Sequence, residues 1–165
     1  MKKIIVAALS VTFMAVPAVA GSEPGYPSGS VGINYGIDHV LGIQAEFDIS
    51  SLTDIKSWSG QVFLKNYSQE TSPGASWDTT GIGASAIYDF NSVARLDKNI
   101  HPYAGIGLVS ISNKWNGTGL SRTYTGASDW AYLVAGIRYP LAPRVDGDLN
   151  YNTFGDLTFG VNYSF

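Results

Sequence analysis

The final eight residues, Thr158-Phe-Gly-Val-Asn-Tyr-Ser-Phe165, alternate polar and apolar side chains and finish on an aromatic ring. A period of two is the mark of a strand with two unlike faces. The pattern recurs upstream, in short runs separated by turn residues, and predicts eight strands over approximately 30–37, 40–49, 57–67, 78–90, 102–114, 129–141, 144–153 and 156–165. In the seventh, Arg144, Asp146, Asp148, Asn150 and Asn152 oppose Val145, Leu149, Tyr151 and Thr153. In the second, Gln44, Glu46 and Asp48 oppose Leu41, Ile43, Ala45, Phe47 and Ile49. The fourth sets Ile82, Ala84, Ala86, Tyr88 and Phe90 against Gly81, Gly83, Ser85 and Asp89. The fifth is less regular, and we assign it the phase that turns Tyr103 and Trp115 outward, so that its rings rest near two interfacial belts.

Met1-Lys2-Lys3, the apolar run from Ile4 to Val16 and the small residues Ala18-Val19-Ala20 read as a secretory signal peptide over 1–20. The run is shorter than the roughly 20 residues of a spanning helix, and Pro17 interrupts its end. Residues 21–29, rich in Gly, Pro and Ser, form a flexible lead-in, and 30–165 the folded domain. Charged residues make up 14% of the chain against a usual value of about 25%, as expected of a protein with little aqueous exterior. Without the leader, eight basic residues face thirteen acidic ones, a balance that argues against nucleic-acid binding through phosphates. There is no Cys, so disulfides and thiolate metal sites are excluded.

Alternation alone does not say which face points inward, because a soluble barrel with a greasy cavity has the same period. The terminus and the leader together resolve this. Thr158, Gly160, Tyr163 and Phe165 match a polar-x-Gly-x-x-hydrophobic-x-hydrophobic ending that resembles the closing strand of outer-membrane barrels, where it serves as an assembly signal. His101-Pro-Tyr-Ala-Gly-Ile-Gly-Leu108 is similar to a Pro-Tyr-x-Gly-x-Gly strand of the OmpX/Ail and OmpA-barrel group, which includes opacity-type surface proteins. The resemblance implies an all-β, eight-stranded antiparallel transmembrane β-barrel with a polar interior, in the outer membrane of a Gram-negative bacterium. It also implies contact with outer-membrane lipid, lipopolysaccharide and the barrel assembly machinery. In lipid every backbone amide needs a partner, so the sheet closes and its greasy face looks outward. Both chain ends are then periplasmic, with outer loops at Tyr67–Asp78 and Asn113–Ser128 and an unusually long periplasmic connection at 91–101.

Chemistry-bearing groups are sparse. The turn at Ala142-Pro143 brings positions near 138 and 147 opposite one another, which predicts a lumenal charge cluster of Arg138, Asp146 and Asp148. Lipid A-modifying barrels use a His with an Asp-Ser pair, or a His-x-Ser motif with an acidic partner. Here His39 precedes Val40-Leu41, His101 precedes Pro102-Tyr103, and Ser128-Asp129 has the reverse order. Neither histidine has metal-site spacing, and no cofactor is implied. The Gly81/Gly83 and Gly105/Gly107 pairs lack the following helix of a phosphate cradle and instead relieve crowding in a curved sheet. Three glycosylation-like strings, at Asn66, Asn116 and Asn162, carry no role. The expected function is non-enzymatic: a structural or surface-interaction barrel acting through its outer loops toward an extracellular ligand. The alternatives are a narrow porin-like channel for small solutes and a lipid A-modifying enzyme. Deleting Phe165 is expected to abolish membrane insertion, and normal recovery of the truncated chain in outer-membrane fractions would count against the terminal reading.

Overall fold

The computed structural model describes residues 29–37, 39–49, 57–72, 75–90, 100–117, 120–153 and 157–165, with only the backbone at 70–72, 117 and 120–130. The leader, residues 21–28 of the lead-in and most of the 91–101 connection lie outside the described residues. Eight strands follow in chain order: β1 (Gly29–Gly36), β2 (Leu41–Asp48), β3 (Trp58–Ser72), β4 (Ala75–Asp89), β5 (His101–Gly117), β6 (Leu120–Ala142), β7 (Val145–Asn152) and β8 (Leu157–Ser164). Each pairs antiparallel with its sequence neighbours, and β1 pairs with β8 to close the ring. Within the ring itself, every described strand has a partner on both sides.

Two ends can be distinguished. The base carries Gly29 and Ser164, and the rim lies opposite. At the base, Pro143 and Arg144 form a two-residue turn in which Arg144 takes a positive φ of 65°. The turn sets Arg138 opposite Asp148, one residue from the expected register, and leaves Arg144 exposed outside the lumen. At the rim, the β1–β2 turn is closed by Gly36 N–H donating to Val40 O at 2.7 Å and His39 N–H donating to Gly36 O at 3.1 Å.

The faces are inverted relative to a soluble barrel. Ile33, Ile82, Ile106, Leu108, Leu133, Tyr151, Phe159 and Val161 are exposed on the outer wall, whereas Asn34, Gln44, Gln61, Asp148, Asn150, Thr158 and Asn162 are buried inside. The predicted faces of β2, β4, β7 and β8 agree with this arrangement, except that Arg144, expected on the inner face of the seventh strand, lies in the turn before it. The predicted face of β5 does not. Tyr103 is buried in the lumen at 3% exposure, and Ile106 and Leu108, at 59% and 67%, face outward. Two physical preferences outweigh an aromatic belt here. Ile106 and Leu108 gain a hydrocarbon environment, and the Tyr103 hydroxyl finds a buried acceptor.

The described residues of the two expected outer loops are also strand. β3 pairs with β4 out to Ser72↔Ala75, and β5 pairs with β6 out to Gly117↔Leu120. β4 and β5 stay paired out to Ser76↔Asn116, so the two hairpins join in one four-stranded sheet that rises beyond the short strands. Thr, Tyr and Trp recur in these segments and favour extended backbone, which offsets their polar, loop-like composition. Between β5 and β6 the register jumps, so that Thr125–Ala127 oppose Ser112 alone, a bulge where the sheet leaves the barrel.

With β5 in this phase, Leu108 sits midway along the lipid-facing wall. Leu108→Arg is expected to lower the unfolding free energy by about 2–4 kcal/mol, and the same change at Ser112, nearer the rim, by about 0–1 kcal/mol. Urea unfolding in phospholipid vesicles measures both.

Candidate functional site

The lumen divides into two halves. On the β3–β6 side Phe63, Ile87, Tyr103, Val109, Tyr132 and Val134 form an apolar cluster, with the Phe63 and Tyr132 ring centroids 4.3 Å apart. Inward-facing glycines make room for it. A Cβ on Gly83 would collide with the Phe63 ring, and one on Gly136 would lie 2.7 Å from the Tyr103 ring. The Lys65 ammonium lies 5.6 Å from the Tyr132 ring centroid and 5.9 Å from that of Phe63, inside this aromatic lining.

The other half is a hydrogen-bonded network centred on Asp148. Its Oδ1 accepts from Tyr103 Oη at 2.7 Å and Asn150 Nδ2 at 3.3 Å. Its Oδ2 accepts from Gln44 Nε2 at 3.4 Å and Asn162 Nδ2 at 3.3 Å. Four donors match the roughly four acceptor sites of a carboxylate, so Asp148 is fully solvated by protein. Gln44 also donates to Asn162 Oδ1 at 3.0 Å and accepts from Asn34 Nδ2 at 3.0 Å, which ties β1, β2 and β8 together.

Across this network runs an ion pair. The Arg138 guanidinium donates to both oxygens of Glu46, at 3.0 and 2.5 Å, and its Nε lies 3.9 Å from Asp148 Oδ2. Glu46 accepts a further bond from Ser59 Oγ at 2.6 Å, and Arg138 stacks 4.4 Å over the Tyr103 ring. β2 and β6 stand four places apart in a ring of eight, so the pair crosses the lumen along a diameter. A bidentate fork held by neighbours on both sides is the geometry in which a desolvated pair is strongest.

The predicted cluster therefore forms in a different arrangement. Arg138 and Asp148 meet, but the principal partner of Arg138 is Glu46, and no ion pair of Asp146 is found among the described residues. Alternation places Glu46 on the polar face of β2, but its pairing with Arg138 depends on β2 and β6 being diametrically opposed. The terminal residues also have structural places. Thr158 is fully buried and donates to Asn150 Oδ1 at 2.7 Å, Gly160 leaves room for Asn34, and Tyr163 and Phe165 face outward. Asn162, part of a glycosylation-like string, is 3% exposed inside the lumen.

The histidines lie at opposite ends of the barrel. At the rim, His39 Nδ1 is 2.8 Å from Tyr35 Oη; at the base, His101 Nδ1 is 3.5 Å from Asp89. The backbone of Ser128-Asp129 belongs to β6, across the ring from the β1–β2 turn that holds His39. No group of three or more potential metal ligands occurs among the described residues. On the projecting sheet, Asp78 instead accepts from Ser68 Oγ and Asn116 Nδ2, both at 2.7 Å, and Thr79 Oγ1 donates to Asn113 Oδ1 at 2.7 Å. These cross-strand bonds hold the sheet together above the barrel.

Arg138→Ala would leave Glu46 buried without its counter-charge, and is expected to cost about 3–5 kcal/mol of stability. Replacing the pair together, as Glu46→Leu with Arg138→Met, is expected to recover most of that loss. Urea titration of folded barrel in vesicles gives both values, and equal destabilisation by the single and double variants would show that the pair is not the source.

Comparison with known proteins gives a consistent picture. The chain resembles Neisserial surface protein A, at 22% identity over 83% of this chain and 94% of that one, with a TM-score of 0.61. It resembles the N-terminal β-barrel domain of Pseudomonas aeruginosa OprF at 12% identity, 86% and 99% coverage, and a TM-score of 0.62. A third similar structure is the attachment invasion locus protein Ail of Yersinia pestis, at 13% identity, 86% and 100% coverage, and a TM-score of 0.53. At these identities the likenesses establish the fold, and no curated protein matches by sequence. The model of the outer membrane protein beta-barrel domain matches residues 6–165, nearly the whole chain, and with the closed, inside-out barrel it shows that this protein belongs to that outer-membrane family.

Proposed function

We propose that this protein is a non-enzymatic outer-membrane barrel whose working surface is the projecting sheet of β3–β6, with a structural or surface-interaction role. One contrast carries the reading. The lumen is braced across its diameter, while four strands extend past the rim and expose paired polar side chains. A small solute crossing the barrel would have to displace the Arg138–Glu46 pair and the Asp148 network, which disfavours the channel. The separation of the two histidines, with Ser128-Asp129 on the far wall from His39, supports a role without lipid A chemistry. In this reading the leader is cleaved after Ala20, the base faces the periplasm, and the projecting sheet stands among the lipopolysaccharide sugars, where an extracellular ligand can reach it. The surface and attachment roles named for the Neisserial and Yersinia proteins fit the same placement.

Replacing 67–78 and 113–128 with short turns is expected to leave a heat-modifiable, membrane-inserted barrel and to abolish the added surface attachment that producing cells show over cells lacking the protein. Unaltered attachment would overturn the surface role. In planar bilayers the intact protein is expected to show no discrete openings. Wild-type openings enlarged by Arg138→Ala would favour the channel, and a changed lipid A mass spectrum in producing cells would favour the enzyme.

A further inference from the structure

The outer wall of the barrel is not evenly covered. Near the base, Trp58 on β3 and Tyr88 on β4 are register partners, with ring centroids 5.4 Å apart. Phe90 meets Tyr88 edge to face at 4.9 Å. The three rings lean on one another and form a ridge. Beside the ridge the side chains shrink abruptly. Tyr88 pairs with Ala104 on β5, and one row nearer the rim Gly60 pairs with Ala86, which in turn pairs with Ile106. The result is a furrow of about 450 Å³, with the rings as one bank, Ala86 and Ala104 as its floor and Ile106 as the other bank.

We infer that this furrow binds one acyl chain of a phospholipid in the leaflet that surrounds the base. Among the described residues its lining is almost wholly apolar and carries no charged group, so the occupant it fits is a hydrocarbon. It is continuous with the exposed apolar wall formed by Ile82, Ile106, Leu108 and Ile137, the surface the fold gives to lipid. A second copy of the chain is a poorer match. A stable protein interface needs about 800 Å² from each partner, far more than one notch of seven residues supplies. With the base periplasmic, as proposed above, the lipid is a phospholipid of the inner leaflet and not lipopolysaccharide. The packed rings narrow the choice of conformations for a chain lying beside them, so one lipid stays longer here than on the wall across the ring.

The test uses the full chain in vesicles of phosphatidylethanolamine and phosphatidylglycerol, doped with phosphatidylethanolamine carrying a diazirine on one acyl chain. After photolysis, peptide mass spectrometry is expected to find label concentrated severalfold at Trp58, Tyr88–Phe90 and Ala104–Ile106 relative to Ile33 and Val161 on the far wall. Filling the floor with Ala104→Leu is expected to return labelling to the wall average, with heat-modifiable migration unchanged. Ala86→Leu serves as an independent second fill. Even labelling around the wall, or enrichment that survives both substitutions, would overturn the proposal. So would a dimer in sedimentation that either substitution dissociates while the furrow takes no label. A barrel with its projecting hairpins trimmed is expected to label like the intact one, so this outcome is separable from that of the surface role.

Discussion

Ring closure between β1 and β8 is the constraint from which the rest of the structure follows. Seven register pairs from Ser30↔Ser164 to Gly36↔Thr158 satisfy backbone groups that hydrocarbon would leave without partners, and Phe165 N–H donating to Gly29 O at 3.1 Å completes the seam. Once closed, an eight-stranded ring has an interior just wide enough for side chains. Inward-facing residues must then pack against residues from distant strands. This is why the groups on β2, β5, β6, β7 and β8 converge on Asp148 and Arg138.

The interior meets this demand in two ways. Polar groups on the short strands satisfy one another nearly atom for atom, with Asp148 saturated by four donors. On the long strands, large side chains interlock over glycines, as Phe63 does over Gly83 and Tyr103 over Gly136. Tyr103 joins the halves, because its ring packs in the apolar cluster and its hydroxyl reaches the polar one. The Arg138–Glu46 pair then fixes the distance between opposite walls. Desolvation takes back much of what such a pair gains, so it contributes more to the shape of the lumen than to net stability.

Much of this was legible in the chain. The number of strands, their approximate limits and the faces of β2, β4, β7 and β8 follow from alternation, because a one-residue slip would reverse every side chain. The failures share a physical origin. The phase of β5 is not legible in the chain because glycines at 105 and 107 weaken its alternation, and the destination of the Tyr103 hydroxyl lies two strands away. Glu46 was seen as inward but not as the partner of Arg138, since only closure brings 46 and 138 together. The segments 67–78 and 113–128 read as loops because polar residues occupy both of their faces, although pairing holds their described residues extended above the lipid. The terminal motif was read as an assembly signal, and the barrel adds what the sequence hides: Thr158 and Gly160 are also interior packing positions.

Strand lengths divide the wall sharply, with β1, β2, β7 and β8 at eight residues each and β3 to β6 at fifteen to twenty-three. At about 3.3 Å per residue, the taller half carries on the order of 20 Å of additional strand. The cylinder is therefore cut on a slant, and it has a compass bearing within the plane of the membrane. Something drifting sideways toward the low side meets one surface of the raised screen, and something arriving from behind meets the side that carries Asp78. Rotation about the membrane normal thus decides which chemistry a neighbour encounters, a property that a barrel of even height lacks.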